Sequence, residues 1–442
     1  MITAYPNSTG AIVPPSPVRR SKTAATRFDS ARNAEPPLRV AIIGHLKFPI
    51  SKPFAGGLER FTHAYVSALQ ARGVEVTLFA AGGSDQRLNL EPVVPQPTVA
   101  EGTRKFPNKR DKDRREAWID QREDEVYESL MRRLATGDLA GWFDVIHNHS
   151  INPVPLAWAD RLSAPCTTTV HVPVLPRLKQ QIEADGPQGA FVNISAANRD
   201  EWGSLLPEQT VVSNSVDVHA WVPQPRWRSK RAVWFGRIVP EKGPHLAIEA
   251  AHRIGLPIDV VGPIHDREYY AKHVEPALQR QRGDRLLGAC EEVELRTIVA
   301  RAAVCFVTPC WEEPFGLVTA EAMSCGTPVA AFRRGGPKEI VTEASGRLAD
   351  PDDVDGLAQA AQECLSLDRA AVRADAVARY EESVMIDRYL DHYRSLLGRD
   401  ALATVSDLRE SADLRDKPAK SSKGTTPTVL PASGLESHLT LQ

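Results

Sequence analysis

The sequence predicts an α/β protein built as two similar halves, each a parallel sheet with helices on both faces. Two features carry that prediction. Short apolar runs alternate with longer segments whose apolar residues recur at helical spacing, the pattern of strand–helix–strand crossover units. The chain also has 442 residues, too many for one ordinary core, so ~2 to 3 domains are expected. Strands of parallel sheets are covered on both faces, which is why they read as continuous apolar runs.

In the first half, Leu38 to Ile43 is an apolar run bounded by turn residues, followed by a glycine loop and a helical pattern from Leu58 to Arg72 that Gly73 ends. Val74 to Phe79 supplies the next strand and completes a right-handed parallel crossover. Phe143 to His147, Thr167 to His171 and Phe191 to Ser195 extend the sheet. Glu101 to Arg133 is densely charged, yet Ile119, Val126, Leu130 and Leu134 keep helical spacing, which predicts an amphipathic helix packed on the sheet. Trp118 and the cluster Lys109, Arg110, Lys112, Arg114 and Arg115 also suit an acceptor or a membrane surface. Interleaved acids weaken that attraction. The second half repeats the design in Ala232 to Gly236, Ile258 to Gly262, Arg285 to Gly288, Val304 to Thr308 and Val329 to Phe332. A linker is expected between Val216 and Arg231, where Pro223, Pro225 and tryptophans interrupt the periodicity.

Charged residues make up 25% and hydrophobic ones 42%, ordinary for a soluble enzyme, and a net charge of −2 gives no reason to expect nucleic acid. No apolar stretch approaches the ~18 residues of a membrane span, which leaves peripheral contact open. The six cysteines, Cys166, Cys290, Cys305, Cys310, Cys325 and Cys364, lack paired close spacing and read as small buried hydrophobes in a reducing compartment. Residues 1–36 and 399–442 are rich in Pro, Ser, Thr or Lys and poor in large apolar side chains, so both read as tails. Residues 1–36 lack the apolar stretch of a secretory signal, and the expected location is cytoplasmic, with attachment to the inner membrane face left open.

The segment Glu313 to Glu321 carries the chemistry. It follows the strand Val304 to Thr308 and opens a helix from Leu317 to Cys325 that Gly326 closes. The first backbone N–H groups of such a helix lack internal partners and carry the positive end of the dipole, so they suit a diphosphate. Ionised carboxylates only accept hydrogen bonds, so two acids flanking that anion site point to hydroxyl groups, one set on a ribose and one on a sugar. A nucleotide sugar satisfies both requirements. Arg237 and Lys242 follow the strand Ala232 to Gly236 and place two cations at its carboxyl end, suited to clamping the diphosphate. Gly335 and Gly336, ahead of another helix, offer further backbone donors.

The motifs PFAGGLE, FDVIHNHS, TTTVHVP, WFGRIVPEKG and EPFGLVTAEAMSCGTPVAAFRRGGPKEIV, in this order, resemble the retaining glycosyltransferases of the GT-B fold, glycosyltransferase family 4. The resemblance spans roughly Leu38 to Gly398 and implies two Rossmann-like domains facing each other across a cleft. It places an acceptor-side domain at 37–218, a nucleotide-sugar domain at 219–383, and at 384–398 a helix crossing back to the first domain, where Tyr389, Tyr393 and Leu396 have the matching spacing. It further implies that Arg237, Lys242, His171 and Glu313 act in catalysis. Gly57, Gly236, Phe315, Gly316, Leu317, Val318 and Glu321 would bind the donor, Glu321 at the ribose hydroxyls, and Gly56 and His149 would lie on the acceptor side. One departure is Asn214-Ser215-Val216-Asp217, where the family has glycine in place of Ser215; serine tolerates positive φ poorly, so the turn type is open there.

Two D-x-D matches, Asp111 to Asp113 and Asp350 to Asp352, suggest a metal-dependent transferase of another fold. The first lies in the charged segment and the second precedes a helix, where Asp352 or Asp353 serves better as a cap. The expected activity is retaining transfer of a hexose from a nucleotide diphosphate sugar, UDP-linked, to a hydroxyl acceptor that is a saccharide, a lipid-linked group or a small molecule. No metal or other cofactor is expected, and the leaving phosphate itself takes the acceptor proton. The alternatives are an epimerase or hydrolase of the same fold, or a non-catalytic nucleotide-sugar binder.

Overall fold

The computed structural model describes residues 36–206, 208–224 and 229–398. The expected tails, and Pro225 in the expected linker, lie outside these residues or almost entirely so. Two sheets form. The first contains β1 (Arg39–Ile43), β2 (Glu75–Ala81), β3 (Leu90–Val94), β4 (Val145–Asn148), β5 (Cys166–Val170), β6 (Ala190–Asn193) and β7 (Gln209–Val211). The second contains β8 (Ala232–Phe235), β9 (Ile258–Val261), β10 (Arg285–Gly288), β11 (Val304–Val307), β12 (Val329–Phe332) and β13 (Gly346–Ala349).

Their spatial orders, β3-β2-β1-β4-β5-β6-β7 and β10-β9-β8-β11-β12-β13, are the same doubly wound design used twice. All the pairings are parallel. In each sheet the winding direction reverses at one point, between β1 and β4 and between β8 and β11. Loops diverge there at the carboxyl ends of the strands, which is where open α/β sheets bind ligands. Val40 to Ile43, Val145 to Asn148, Ala232 to Phe235 and Val304 to Val307 are buried along their whole length, the cost-free arrangement for strands with helices on both faces.

Three strands escape the sequence reading: β3, β7 and β13. All three are sheet edges. β3 carries Pro92, which cannot donate to a ladder and is tolerated only where one side is unpaired, and β13 carries the half-buried Arg347. The charged segment forms two helices, Thr98–Lys105 and Lys112–Ala135, broken around Phe106 and Pro107. Ile119, Val126, Leu130 and Leu134 are buried as their spacing requires, with Val126, Leu130 and Leu134 in the core under the first sheet. Cys310 is exposed, unlike the buried hydrophobe expected of it, while Cys166, Cys305, Cys325 and Cys364 are buried. Among the described residues no helix is long and apolar enough to cross a membrane.

The chain passes between the halves twice. On the outward pass Val216 and Trp221 already pack in the second half's core, and Val216 N–H donates to the Tyr380 carbonyl at 2.8 Å. Ser215 keeps a negative φ, so the turn forms without the glycine of the family pattern. Asp217 holds that turn by accepting from the N–H groups of His219 (3.1 Å) and Ala220 (2.9 Å). The return pass is the helix Glu382–Leu396, whose Met385, Ile386, Tyr389 and Tyr393 sit in the first half's core. Its polar atoms are satisfied there. The Tyr393 hydroxyl lies 2.6 Å from both the Tyr65 hydroxyl and His147 Nδ1, Thr169 Oγ1 lies 2.7 Å from His147 Nε2 and 3.1 Å from the Tyr389 hydroxyl, and His392 Nε2 meets Thr167 Oγ1 at 2.9 Å.

Tyr393→Phe removes the hydroxyl at the centre of this network and leaves buried groups on Tyr65 and His147 short of a partner. A loss of about 1–3 kcal/mol is expected, read as a lower denaturant midpoint with near-unchanged far-UV circular dichroism.

Candidate active site

The loops at the second sheet's reversal point carry Arg237 and Lys242 after β8 and Glu313 after β11. Lys242 Nζ forms an ion pair with Glu313 Oε2, and Trp311 Nε1 donates to the same oxygen at 3.0 Å. Residues far apart in sequence thus meet at one strand-end junction. Glu312, the neighbour with an equal claim by composition, points the other way and accepts from the Gly335 N–H at 2.7 Å. Arg237 follows Gly236, whose φ is +150°, and its side chain is exposed; among the described residues it makes no ion pair. The structure therefore joins Lys242 to Glu313 and leaves Arg237 unengaged at the rim.

The Glu313 loop owes its shape to two glycines of the next loop. A Cβ on Gly335 would lie 2.3 Å from Glu313 N, and one on Gly336 2.0 Å from the Phe315 carbonyl oxygen. Their N–H groups are committed within the protein, to Glu312 and to the Glu313 carbonyl (2.7 Å), so they are not the free ligand donors that the sequence suggests. Gly316 adopts φ +92° and caps the helix Leu317–Ser324, a conformation that only glycine takes without strain. Phe315 is a core residue, edge-on to Tyr380 with centroids 5.8 Å apart. Leu317 and Val318, in the helix's first turn, are half-buried.

Across from this helix lies the start of the helix Gly57–Ala71, after β1. Gly56 is its N-cap with extended φ, Gly57 is its first residue, and both are exposed. A Cβ added to Gly57 would sit 3.9 Å from Leu317 Cδ1, an ordinary contact. Neither glycine is needed by the backbone. Glu59 is buried and lies 2.9 Å from His45 Nε2, and that contact holds its carboxyl below the usual range against the opposing effect of burial. The next residue, Arg60, reaches over the gap and pairs with Glu321 at 2.8 Å. Phe54, Arg60 and His63 from this side and Glu292, Leu317 and Glu321 from the other line a cavity of about 290 Å³.

The histidines form a separate group. His149, expected on the acceptor side, is instead fully buried, with its ring 3.9 Å from that of His147 and its Nδ1 2.9 Å from His171 Nε2. It backs His171. Phe61 packs edge-on to His171, with centroids at 4.7 Å. Burial pushes the His171 pKa down to about 3 and those of His147 and His149 well below the usual value, so all three are neutral near pH 7. This sets the tautomers. His149 Nε2 is buried without a partner, and an orphaned N–H costs more than an orphaned lone pair, so the His149 proton belongs on Nδ1 and is donated to His171 Nε2. His171 then carries its proton on Nδ1 and offers a donor there.

Sequence reading missed three contributors between the halves. Arg60 is one. Glu339 is another, its carboxylate accepting from the N–H groups of Ala196 (2.9 Å) and Ala197 at the start of the helix Ala196–Trp202. Ser195 Oγ, the third, donates to the Pro314 carbonyl at 2.5 Å. None has a motif of its own, because each acquires its role only from a partner more than a hundred residues away. The D-x-D matches find ordinary roles: Asp353 caps the helix Val354–Cys364, Asp352 pairs with Arg334 at 3.0 Å, and Asp111 with Arg114 at 3.3 Å.

Residues 55–219 match the Glycosyltransferase Family 4 description, and residues 221–380 match Glycosyl transferases group 1. A glycogen synthase of Mycobacterium tuberculosis is 27% identical over 361 residues, covering 73% of this chain and 86% of the relative. A D-inositol 3-phosphate glycosyltransferase of Mycolicibacterium smegmatis is 26% identical over 409 residues, covering 82% and 92%. Among solved structures, Anabaena Alr3699/HepE in complex with UDP-glucose superposes with a TM-score of 0.59 at 16% identity, covering 81% of this chain and 100% of that one.

The buried neutral imidazoles make stability depend on pH. Their folded pKa values lie below the unfolded value of about 6.5, so the unfolded chain binds more protons as pH falls from there toward 3. Stability is fully present above that window and declines within it. His171→Asn should flatten the decline between pH 7 and pH 5 by on the order of 1 kcal/mol, measured by denaturant unfolding at each pH.

Proposed function

We propose that this chain, which belongs to the glycosyltransferases and has the GT-B fold, transfers a hexose from a nucleoside diphosphate sugar to a hydroxyl acceptor with retention at the anomeric carbon. The observation that carries this reading is the Lys242–Glu313 pair at the second sheet's reversal point, with Gly57 and Leu317 facing each other beside it. The two charges satisfy each other. A donor inserted between them exchanges that contact for two: the diphosphate takes Lys242, and a sugar hydroxyl donates to Glu313. Arg237, exposed and without an ion-pair partner among the described residues, is free to join Lys242 on the diphosphate.

As the glycosidic bond breaks, negative charge grows on the leaving phosphate, and the two cations bind that charge more strongly than the ground state. The phosphate oxygen takes the acceptor's proton on the same face, so the configuration is kept. No carboxylate is free to act as a covalent nucleophile in this scheme, because Glu313 holds the sugar and Glu321 the ribose hydroxyls. His171 supports the sugar as a hydrogen-bond donor from Nδ1. The N–H groups that open the helices Gly57–Ala71 and Leu317–Ser324 add partial positive charge from both sides of the gap. The charge is handled by side chains and backbone without a metal ion. The acceptor approaches from the Gly56 side as a saccharide, a lipid-linked group or a small molecule, and Alr3699/HepE, a protein of the same fold solved with UDP-glucose, supports UDP as the first donor to try.

A thermal-shift screen of UDP, ADP and GDP sugars tests the donor class, since a ligand at 100 times its dissociation constant adds ~2.7 kcal/mol of stability. Release of nucleotide must then require an acceptor; free sugar or an epimer formed without one would replace transfer by hydrolysis or epimerisation. Lys242→Ala should lower turnover about 100- to 1,000-fold and leave the melting temperature near that of the parent, with activity unaffected by EDTA in both. Unchanged turnover in that variant would remove the clamp. Gly57→Ala separates fold from function differently: alanine suits a helix start, so the melting temperature should hold or rise, while turnover falls about 10- to 100-fold as the added methyl holds the donor off.

A further inference from the structure

We propose that Arg60 is a positioning residue of the donor site, holding Glu321 while the site is empty and giving way to the ribose hydroxyls when donor binds. The inference rests on the reading of Glu321 as the ribose acceptor and adds a role for a residue of the opposite domain. Glu321 is buried, its side chain only 6% exposed, and its one described hydrogen bond is to Arg60 at 2.8 Å. The Arg60 side chain is 38% exposed and comes from the first half's helix Gly57–Ala71. The two therefore differ in freedom: the acid is fixed in its helix, and the arginine swings into solvent when released.

Among the described residues no other cation bonds Glu321, although the Arg296 charge also favours its ionised form. Arg296, the other guanidinium lining this cavity, is paired with Glu292 at 2.5 Å, and Glu382 and Asp217 add negative charge. His63, also on the wall, is engaged with Asp85 at 3.0 Å, and Lys52 lies at the rim without a described bond to Glu321. Burial pushes the Glu321 pKa up and Arg60 is the largest influence pulling it down. An ionised carboxylate accepts from both hydroxyls of a diol, whereas a protonated one spends an oxygen on its own proton. Arg60 thus keeps the acid in the form the ribose needs, and the same contact competes with the ribose for the same oxygen.

Those two effects oppose each other with pH, which separates this role from simple structural support. UDP, ADP and GDP are each titrated calorimetrically into parent, Arg60→Met and Arg60→Lys proteins at pH 6.0 and 8.5, and the nucleotide that binds most tightly is repeated as its 2′,3′-dideoxy form. At the higher pH, where more of Glu321 is ionised in the absence of Arg60, Arg60→Met should bind the nucleotide more tightly than the parent. The affinity ratio of Arg60→Met to parent should fall about tenfold on going to pH 6.0, the size of one charge-assisted contact. Arg60→Lys, which keeps the cation, should hold a nearly constant ratio. A ratio for Arg60→Met that stays constant with pH, or weaker binding at pH 8.5, overturns the proposal even though the ribose form is preferred over the dideoxy form. Equal binding of the ribose and dideoxy forms by the parent overturns the ribose reading itself, and the role of Arg60 with it.

Discussion

The return of the last helix to the first half is the constraint on which the rest of the molecule depends. Glu382–Leu396 leaves the second half and inserts Tyr389 and Tyr393 under the first sheet, where their hydroxyls meet His147, Tyr65 and Thr169. Buried hydroxyls and imidazoles are favourable only with their partners in place, so this network specifies one seating of the helix. With both crossings anchored, the carboxyl ends of the two sheets bear on a common gap, and residues at both reversal points come within reach of one another.

Polar contacts then bridge what the backbone leaves apart. Arg60 reaches Glu321, Glu339 takes the N–H groups of Ala196 and Ala197, and Ser195 grips the Pro314 carbonyl in the middle of the Glu313 loop. Each links one half to the segment 313–339 of the other. The acids Glu313 and Glu321 of the second half are accordingly positioned by both halves, and a change in their separation alters the geometry around them directly. An ion pair across a partly wet gap, such as Arg60–Glu321, is modest in energy.

The group of histidines beside this gap works by exclusion of charge. Three imidazoles stacked at the ends of β4 and β5 are held neutral by burial, and neutrality makes each a donor at one nitrogen and an acceptor at the other. The chain of contacts from Tyr393 through His147, and from His149 to His171, ties the seating of the last helix to the orientation of a ring proposed to face the sugar. His149 at its strand end thus supports the His171 ring.

The division between what was legible in the chain and what was not follows the range of the forces involved. Central strands such as Val304 to Val307 and Val329 to Phe332 are readable because burial on both faces demands an unbroken apolar run, and helices because one buried stripe demands a 3.6-residue period. Arg237, Lys242, Glu313 and Glu321 are readable as candidates because they stand in the segments that follow such strands, in the loop or in the next helix. Edge strands β3, β7 and β13 are silent, since a strand paired on one side needs no such pattern and tolerates Pro92 or Arg347. The ion pair of Lys242 with Glu313, the commitment of Gly335 and Gly336 to the loop beside them, the burial of His149, and the pairing of Arg60 with Glu321 were decided only by the folded chain. Side-chain direction and partnership depend on atoms brought together from distant segments, and no local spacing encodes a distance across a cleft.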